Sequence, residues 1–172
     1  MESSSEPGDR GCETPSFELA RAVLENATDY AIITIDLQGQ ITSWNAGAEN
    51  ILGWASEEIC GQPAAVFYTD SDRAVGVPES EMESALKTGR GNDERWHQRD
   101  DKSCFWASGE MMPLKDDVGE PIGFLKILRD RTAEKLKDED RIAAAKALAD
   151  SEALKTAMLD AALDCIITID DR

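Results

Sequence analysis

The sequence has 172 residues, which is enough for one domain of ordinary size with flanking segments. A hydrophobic share of 41% supports a packed core and argues against a chain that is disordered throughout. The formal net charge of −17 argues against binding to nucleic acid or to an anionic membrane surface, because both reward clustered Lys and Arg.

The cysteines and the N-terminal residues favour a reducing, cytoplasmic setting. The four cysteines are scattered and form no CxxC pair, so their spacing matches neither a zinc site nor a disulfide framework. Residues 1–9 are acidic and polar, whereas a secretory signal would be basic and then apolar. The longest apolar run is far too short for a membrane span. We therefore expect a cytoplasmic protein without membrane insertion.

The pattern of apolar and turn-forming residues predicts an α+β domain. Residues 1–15, rich in Ser, Glu, Gly and Pro, predict a disordered tail. The elements predicted after this tail are, in order, a helix capped by Ser16, strands at 30–36 and 41–44, short helices at 46–52 and from 56, a loop at 70–76, a helix at 78–88, strands at 94–99, 104–114 and 121–128, and a long helix from Thr132 to about residue 161. This order favours a five-stranded antiparallel sheet with the short helices on one face, enclosing a small cavity.

A phrase near the start of the chain recurs near its end. Residues 22–36 read AVLENATDYAIITID, and residues 157–170 read AMLDAALDCIITID. Self-similarity at a fixed offset predicts a repeated structural unit. We expect residues 151–172 to form the flanking helix and first strand of a second, truncated domain of the same kind. The chain would then be the N-terminal piece of a longer tandem-domain protein.

Several short phrases, in their order and spacing, resemble those of a PAS domain, the sensor module of bacterial signalling proteins. They read IDLQGQI from residue 35, WNAGAE from 44, LGW from 52, EEICG from 57, GEPIGF from 119 and RDRT from 129. The resemblance covers about residues 17–132 and restarts near residue 151. It implies a PAS domain at residues 16–132 followed by a helical signalling linker at residues 133–150.

The resemblance also assigns a signalling role to the end of the last strand. In PAS domains an Asp-x-Thr at this place couples the sheet to the outgoing helix, and Asp130 and Thr132 match it here. Both side chains can bond the free backbone donors at the start of a helix. The phrases at residues 93–97 and 105–109 are most similar to PAS domains of sensor histidine kinases. This similarity implies downstream signalling domains in the same protein. A homodimer formed through the flanking helices is one candidate assembly.

Residues that hold cofactors in the family are replaced here. Ala64 stands where a flavin-adduct PAS domain has its reactive cysteine, and His97, Ala107 and Leu128 take the places of the side chains that hold the flavin. The Asp-Arg pair at residues 72–73 is not followed by a histidine that could ligate haem. These departures argue against haem and against covalent flavin chemistry. No cofactor is identified, and non-covalent FAD stays an alternative.

Strand alternation, placed by the family alignment, separates two sets of side chains on the third, fourth and fifth strands. The residues predicted to line the ligand cavity are Arg95, His97, Phe105, Ala107 and Leu128. Trp96 and Trp106 are predicted to face each other on the outer side of the sheet, where a flanking helix or a partner subunit would cover them. A buried Arg95 requires an anionic partner, for which Glu110 and a small acidic ligand are the candidates.

The sequence thus favours a cytosolic sensory or regulatory module. It would relay a ligand, redox or assembly signal through its C-terminal helix to an output domain outside this chain, such as a histidine kinase. The alternative is a protein-interaction or dimerisation module without a bound small molecule. An enzyme is disfavoured, because the sequence has no Ser/His/Asp set, metal-ligand cluster or phosphate-binding glycine loop.

Overall fold

The computed structural model describes residues 17–170, which form two units that meet in the sequence between Asp130 and Arg131. The predicted disordered tail at residues 1–15 and the predicted cap Ser16 lie outside the described residues. The elements are, in order, α1 (Phe17–Asn26), β1 (Ala31–Ile35), β2 (Ile41–Trp44), α2 (Ala46–Leu52), α3 (Ser56–Ile59), a 3₁₀ turn (Ala64–Phe67), α4 (Asp70–Ala74), α5 (Val77–Thr88), β3 (Gly91–Gln98), β4 (Cys104–Lys115), β5 (Pro121–Asp130) and α6 (Thr132–Asp170). The expected α+β order is confirmed.

The first unit is built on a five-stranded antiparallel sheet with the strand order β2-β1-β5-β4-β3. β5 therefore lies in the middle, and β2 and β3 form the edges. Side chains alternate between the two faces of each strand, so that Ala31, Ile33 and Ile35 of β1 are buried while Ile32 and Thr34 are only partly so. The buried face joins Ile59, Phe67 and Ala85 from the covering helices in one hydrophobic core.

Asn45 joins three segments around the start of α2. Its side-chain oxygen accepts hydrogen bonds from the backbone amides of Ala48, at 2.9 Å, and of Ile32, at 2.9 Å. Its side-chain amide donates to the carbonyl oxygens of Leu24, at 3.0 Å, and Tyr30, at 3.1 Å. The first of these bonds caps α2, as expected. The others tie the end of α1 and the entry to β1 to the same side chain.

The segment predicted as a loop at residues 70–76 contains a short helix instead, and that prediction is wrong. Thr69 caps α4, because its hydroxyl accepts a hydrogen bond from the Asp72 backbone amide at 3.3 Å. Arg73 donates to two carbonyl oxygens, that of Val66 within the preceding 3₁₀ turn and that of Tyr68 directly after it. These contacts fold the segment although its apolar content is low.

The second unit is one long helix, α6. Its sequence is rich in Ala, Lys, Glu and Asp, and ion pairs three or four residues apart support it, as between Lys135 and Glu139 at 3.2 Å. The helix continues to Asp170, so residues 151–170, where a flanking helix and a first strand were expected, are helical throughout. A second PAS domain beginning near residue 151 stays a prediction. None of the helices among residues 17–170 is both long and apolar enough to cross a membrane.

Candidate functional site

A cluster of polar side chains fills the space between the sheet and its covering helices. Its members come from β5, α5, β3 and the residue after the 3₁₀ turn, and none is more than 5% exposed. We refer to these five residues as the buried charge cluster: Lys126, Glu81, Asp93, His97 and Tyr68. Charges buried to this degree are expensive unless each has a close partner.

Lys126 lies at the centre of the buried charge cluster. Its ammonium nitrogen, Nζ, is 2.6 Å from Glu81 Oε1, 2.5 Å from Asp93 Oδ2 and 2.9 Å from the Tyr68 hydroxyl. An ammonium group has three N–H donors, so these three acceptors satisfy it completely. The Tyr68 hydroxyl in turn donates to Glu81 Oε2 at 2.7 Å. The central strand is thereby joined to α5 and to the segment after the 3₁₀ turn.

Asp93 has three partners through its two carboxylate oxygens. Its Oδ2 accepts from Lys126 and faces His97 Nε2 at 2.8 Å, while its Oδ1 accepts from Arg95 Nε at 2.7 Å. Among the described side chains, every buried nitrogen and oxygen atom has a hydrogen-bond partner. The carboxylate therefore connects the interior of the sheet to Arg95 at its edge.

The surroundings set the ionisation of three members of the cluster. Burial raises the pKa of the Tyr68 hydroxyl well above its usual range, and the nearby Lys126 ammonium offsets this only in part. Burial alone would raise the pKa of Asp93, but Lys126 and the hydrogen bond from His97 outweigh it and hold that pKa far below normal. Burial alone would lower the pKa of Lys126, but the surrounding Tyr68, Asp93 and Glu81 raise it. At neutral pH the Lys126–Asp93 pair is thus ionised and Tyr68 keeps its proton.

His97 is held at both ring nitrogens. Nδ1 lies 2.9 Å from the Phe67 carbonyl oxygen, which can only accept, so Nδ1 carries a proton. Nε2 lies 2.8 Å from Asp93 Oδ2. The ring is packed among the aromatic rings of Phe67, Tyr68 and Phe105, with centroid distances between 4.8 and 5.9 Å. His97 thus connects the end of the 3₁₀ turn to β3.

Four of the five residues predicted to line a ligand cavity do point into the interior. His97, Phe105, Ala107 and Leu128 are all 0% exposed and pack among protein atoms. Contact of these four with a ligand stays a prediction. The fifth residue, Arg95, is placed differently.

Arg95 has a side chain that is 28% exposed and paired with Asp93. It belongs to an edge strand, so its inward-facing side chain reaches solvent at the border of the covering layer. The expected partner Glu110 pairs instead with Arg90 at 3.1 Å. Arg95 is therefore not fully buried as predicted, and its carboxylate partner is Asp93 rather than the candidate Glu110.

Trp96 and Trp106 are directly opposite each other in the β3–β4 ladder. Their ring centroids are 5.6 Å apart with an interplanar angle of 78°, an edge-to-face contact. Both side chains are partly buried, and they alternate with the inward-facing His97 and Phe105. The pairing is as the sequence indicated, whereas a role in an interface stays a prediction.

The two residues with a predicted coupling role lie on either side of the junction between the units. Asp130 ends β5, and its Oδ2 accepts a hydrogen bond from Arg99 Nη2 at 2.6 Å. The Arg99 guanidinium also lies 4.3 Å above the Phe105 ring. Thr132 is the first residue of α6 and belongs to the second unit. The contribution of Arg99 was missed in the sequence, where it reads as the last residue of a predicted strand.

The described interior does not fit flavin-adduct or metal chemistry. Ala64 lines a pocket of about 130 Å³ beside Tyr68, Met82 and Met111, well below the roughly 300–1,000 Å³ of sites for drug-sized ligands. Cys60 and Cys104 are exposed, so neither supplies the missing thiol at Ala64. No group of three His, Cys, Asp or Glu side chains among the described residues could hold a metal ion.

A signal for the buried charge cluster was present in the sequence. Lys126 lies between Phe124 and Leu128 at period-two spacing, so it shares their inward face. Asp93 shares a face with His97 by the same rule. A lysine and an aspartate on one buried face must be neutralised. The pattern does not show that Glu81 of α5 is the second carboxylate that pairs with Lys126.

The chain is similar to known signalling proteins in sequence. The family model described as the PAS fold matches residues 18–131. Two-component system protein A of Emericella nidulans is 37% identical over 142 residues, which are 83% of this chain and 20% of that protein. Signal transduction histidine-protein kinase AtoS of Escherichia coli is 39% identical over 49 residues, which are 28% of this chain and 8% of that protein. The chain thus spans about a fifth or less of the length of these two relatives.

A solved structure shows the same fold. The crystal structure of the PAS domain of a protein from Colwellia psychrerythraea superposes with a TM-score of 0.61 at 26% sequence identity. The superposition covers 66% of this chain and 96% of that domain. The similarity is therefore to a complete domain, and the matched share of this chain corresponds in size to its first unit.

Proposed function

The chain belongs to the PAS fold family, and on that premise we propose that it relays a signal within a two-component signalling protein. In this proposal the first unit receives a ligand, redox or assembly signal, and α6 carries it to an output domain outside the chain, most consistent with a histidine kinase. The module works in the cytoplasm and performs no catalysis itself.

One observation carries the proposal: β5 holds both the centre of the buried charge cluster and the exit from the domain. Lys126 contacts α5, β3 and Tyr68, and Asp130 ends the same strand, with only Arg131 between it and α6. A shift of the covering helices would therefore displace β5, which leads into α6. A contiguous set of contacts supports coupling but must be tested by measuring it.

The test is a fusion of the whole chain to the dimerisation and catalytic regions of a histidine kinase. We expect Asp130→Asn to change the autophosphorylation rate on the order of fivefold or more, the usual size of a coupling free energy. Asp116→Asn, in the turn before β5, is the matched control and should leave the rate unchanged. Equal rates in the wild-type and Asp130→Asn fusions, with both proteins folded, would contradict the relay.

The second candidate is an interaction or dimerisation module without a small molecule. It is favoured by the protein-filled interior around Phe105 and Leu128 and by apolar side chains on α1, where Val23 and Leu24 are exposed. The proposed surface is α1 together with the outer-face pair Trp96 and Trp106. Concentration-dependent dimerisation that is lost in a Val23→Ser/Leu24→Ser variant would support it. A monomer at all concentrations would refute it.

An absorption spectrum and a native mass of the purified protein separate these candidates further. Visible flavin bands would establish the remaining alternative, an FAD-binding redox sensor. A colourless protein with an added small mass would favour a ligand sensor. A colourless protein at the mass of the chain alone would favour the interaction module.

A further inference from the structure

A polar groove lies beside the buried charge cluster, between α5 and the edge strand β3. It has a volume of about 320 Å³ and is lined by Val77, Ser80, Glu81, Ser84, Gly91, Asn92 and Arg95. We propose that this groove binds a small organic carboxylate on the guanidinium group of Arg95. That such binding serves as the input of the module rests on the sensory function proposed above.

The hydrogen bonds of Arg95 leave donors for a ligand. A guanidinium group has five N–H donors in a planar fork, and Arg95 uses the one on Nε to bond Asp93 Oδ1 at 2.7 Å. Its two terminal nitrogens have no partner among the residues whose side chains are described. Two parallel N–H groups on one guanidinium match the two oxygens of a carboxylate. The two terminal nitrogens of Arg95 can therefore bind the carboxylate of a ligand.

Groove and ligand also match in size and polarity. Exposed Ser80 on α5 and Asn92 on β3 provide hydroxyl and amide donors on the two walls. The walls stand close together because Gly91 has no side chain: a Cβ there would lie 2.9 Å from the Glu81 carbonyl oxygen. The volume of about 320 Å³ is at the small end of the roughly 300–1,000 Å³ found for ligand pockets. A ligand of few heavy atoms fits best.

Lys126 offsets part of the negative charge of the two carboxylates that lie beneath Arg95. Glu81 and Asp93 are both paired with Lys126, at 2.6 and 2.5 Å, and Asp93 also bonds His97. Further along α5 the surface is acidic, with Glu79 and Glu83 exposed. A singly charged carboxylate therefore suits the groove better than a multiply charged anion such as phosphate.

The same contacts connect the groove to the interior. Arg95 and the buried pair share one carboxylate, since Asp93 binds Arg95 through Oδ1 and both Lys126 and His97 through Oδ2. A ligand that draws the guanidinium outward weakens the bond to Oδ1 and changes the field at Oδ2. His97 reports this change, and it is the single histidine of the sequence, so its imidazole signals are unambiguous.

The test is a titration of the full-length, ¹⁵N-labelled chain with sodium propionate at neutral pH and constant ionic strength, followed by NMR. We expect saturable shifts of the Ser80 and Asn92 backbone amides together with the His97 imidazole. Arg95→Gln should weaken binding at least tenfold, and Arg95→Lys, which keeps the charge but loses the fork, should fall between. Arg21→Gln, on α1, is the matched control and should bind as the wild type does.

Two results would overturn the proposal. One is a response to propionate that neutral propionamide or sodium chloride reproduces. The other is an equal response in the wild type, Arg95→Gln and Arg95→Lys. This titration does not measure kinase activity. A negative result would therefore exclude the groove as a binding site without testing the relay through Asp130. Conversely, loss of the relay leaves binding at the groove intact.

Discussion

The Lys126 ammonium lies 2.5 Å from Asp93 Oδ2, although β4 separates their two strands in the sheet. Both side chains lie on the buried face and reach across the intervening strand. An edge strand is thereby joined to the central strand by a contact that is independent of the backbone ladder. Because the pair is wholly buried, removing either partner leaves the other with only one ion-pair partner in a site that water does not reach.

The first prediction concerns that dependence. Lys126→Met keeps the volume of the side chain but leaves Glu81 without its paired cation and leaves Asp93 with Arg95 as its remaining ion-pair partner. We expect a loss of about 3–5 kcal/mol in the free energy of unfolding, the usual cost of breaking a buried ion pair. Urea unfolding of the full chain, followed by circular dichroism, measures it. The exposed Lys115→Met at the end of β4 should change the stability by no more than about 0.5 kcal/mol.

A second substitution separates lost charge pairing from lost packing. Adding Glu81→Gln to the Lys126→Met variant removes one of the two carboxylates and should recover part of the lost stability. If Lys126→Met alone costs no more than Lys115→Met, the cluster does not stabilise the fold.

The second prediction is a dependence of stability on pH at the acidic end. The pKa of Asp93 is lower in the folded than in the unfolded chain, so its contribution is complete above the unfolded value of about 4 and is lost as the pH falls below it. The free energy of unfolding should therefore fall with pH below about 4. Asp93→Asn should have a shallower acidic slope. Equal slopes would show that Asp93 is not the group responsible.

The third prediction applies the same reasoning to the alkaline end. The pKa values of Lys126 and Tyr68 are higher in the folded chain, so their contributions are complete below their unfolded values of about 10 and are lost as the pH rises further. Urea unfolding measured at several alkaline pH values should show this decline. Tyr68→Phe, which has no hydroxyl proton, should show a smaller decline, and an unchanged decline would exclude Tyr68 as a contributor.

The fourth prediction concerns Asn45. Asn45→Asp keeps the oxygen that caps α2 but loses the amide that donates to the carbonyls of Leu24 and Tyr30. Hydrogen exchange should accelerate in α1 while the start of α2 stays protected. Asn45→Ala should expose both and cost about 0.5–2 kcal/mol for the lost cap. Substitution of the exposed Asn50 by Asp, on α2, is the control. Equal hydrogen exchange of α1 in the two Asp variants would show that the Asn45 amide does not hold α1.

The fifth prediction tests the pair at the end of β5. Arg99 and Asp130 are partly exposed, with side chains at 24% and 33%, so solvent screens their attraction. A double-mutant cycle with Arg99→Met and Asp130→Asn should give a coupling of about 0.5–1 kcal/mol. The coupling should shrink in 1 M salt, because added ions screen exposed charges. A coupling indistinguishable from zero at low salt would mean that Arg99 does not hold Asp130.

Local pattern was sufficient for the order of the strands and for the helices before and after the sheet. β2 was predicted with its observed ends, because a polar turn and a capping Asn45 delimit it within a few residues. The placement of Trp96 directly opposite Trp106 followed from their symmetric spacing around one turn. Both depend on neighbours in the sequence or on a single hairpin, where period and turn chemistry decide the outcome.

Features that depend on contacts between distant segments needed the tertiary structure. Arg95 was assigned to the interior because strand period gives its face but not the position of β3 at the edge of the sheet. The helix at Asp70–Ala74 is supported by Arg73 bonding carbonyls of the preceding turn. Residues 163–170 resemble β1 closely, yet they are helical here, since a strand forms only where a neighbouring strand completes its hydrogen bonds.

The sequence by itself determined the sheet, through short-range periodicity and turn-forming residues. Its short phrases resembled the family, and the alignment with that family placed the inward-facing side chains. Only the tertiary structure decided that the interior would hold an ion pair between β5, α5 and β3. A buried charge is tolerated only when a partner of opposite sign lies within hydrogen-bonding distance. That partner comes from another part of the chain, so folding, and not local pattern, selects it.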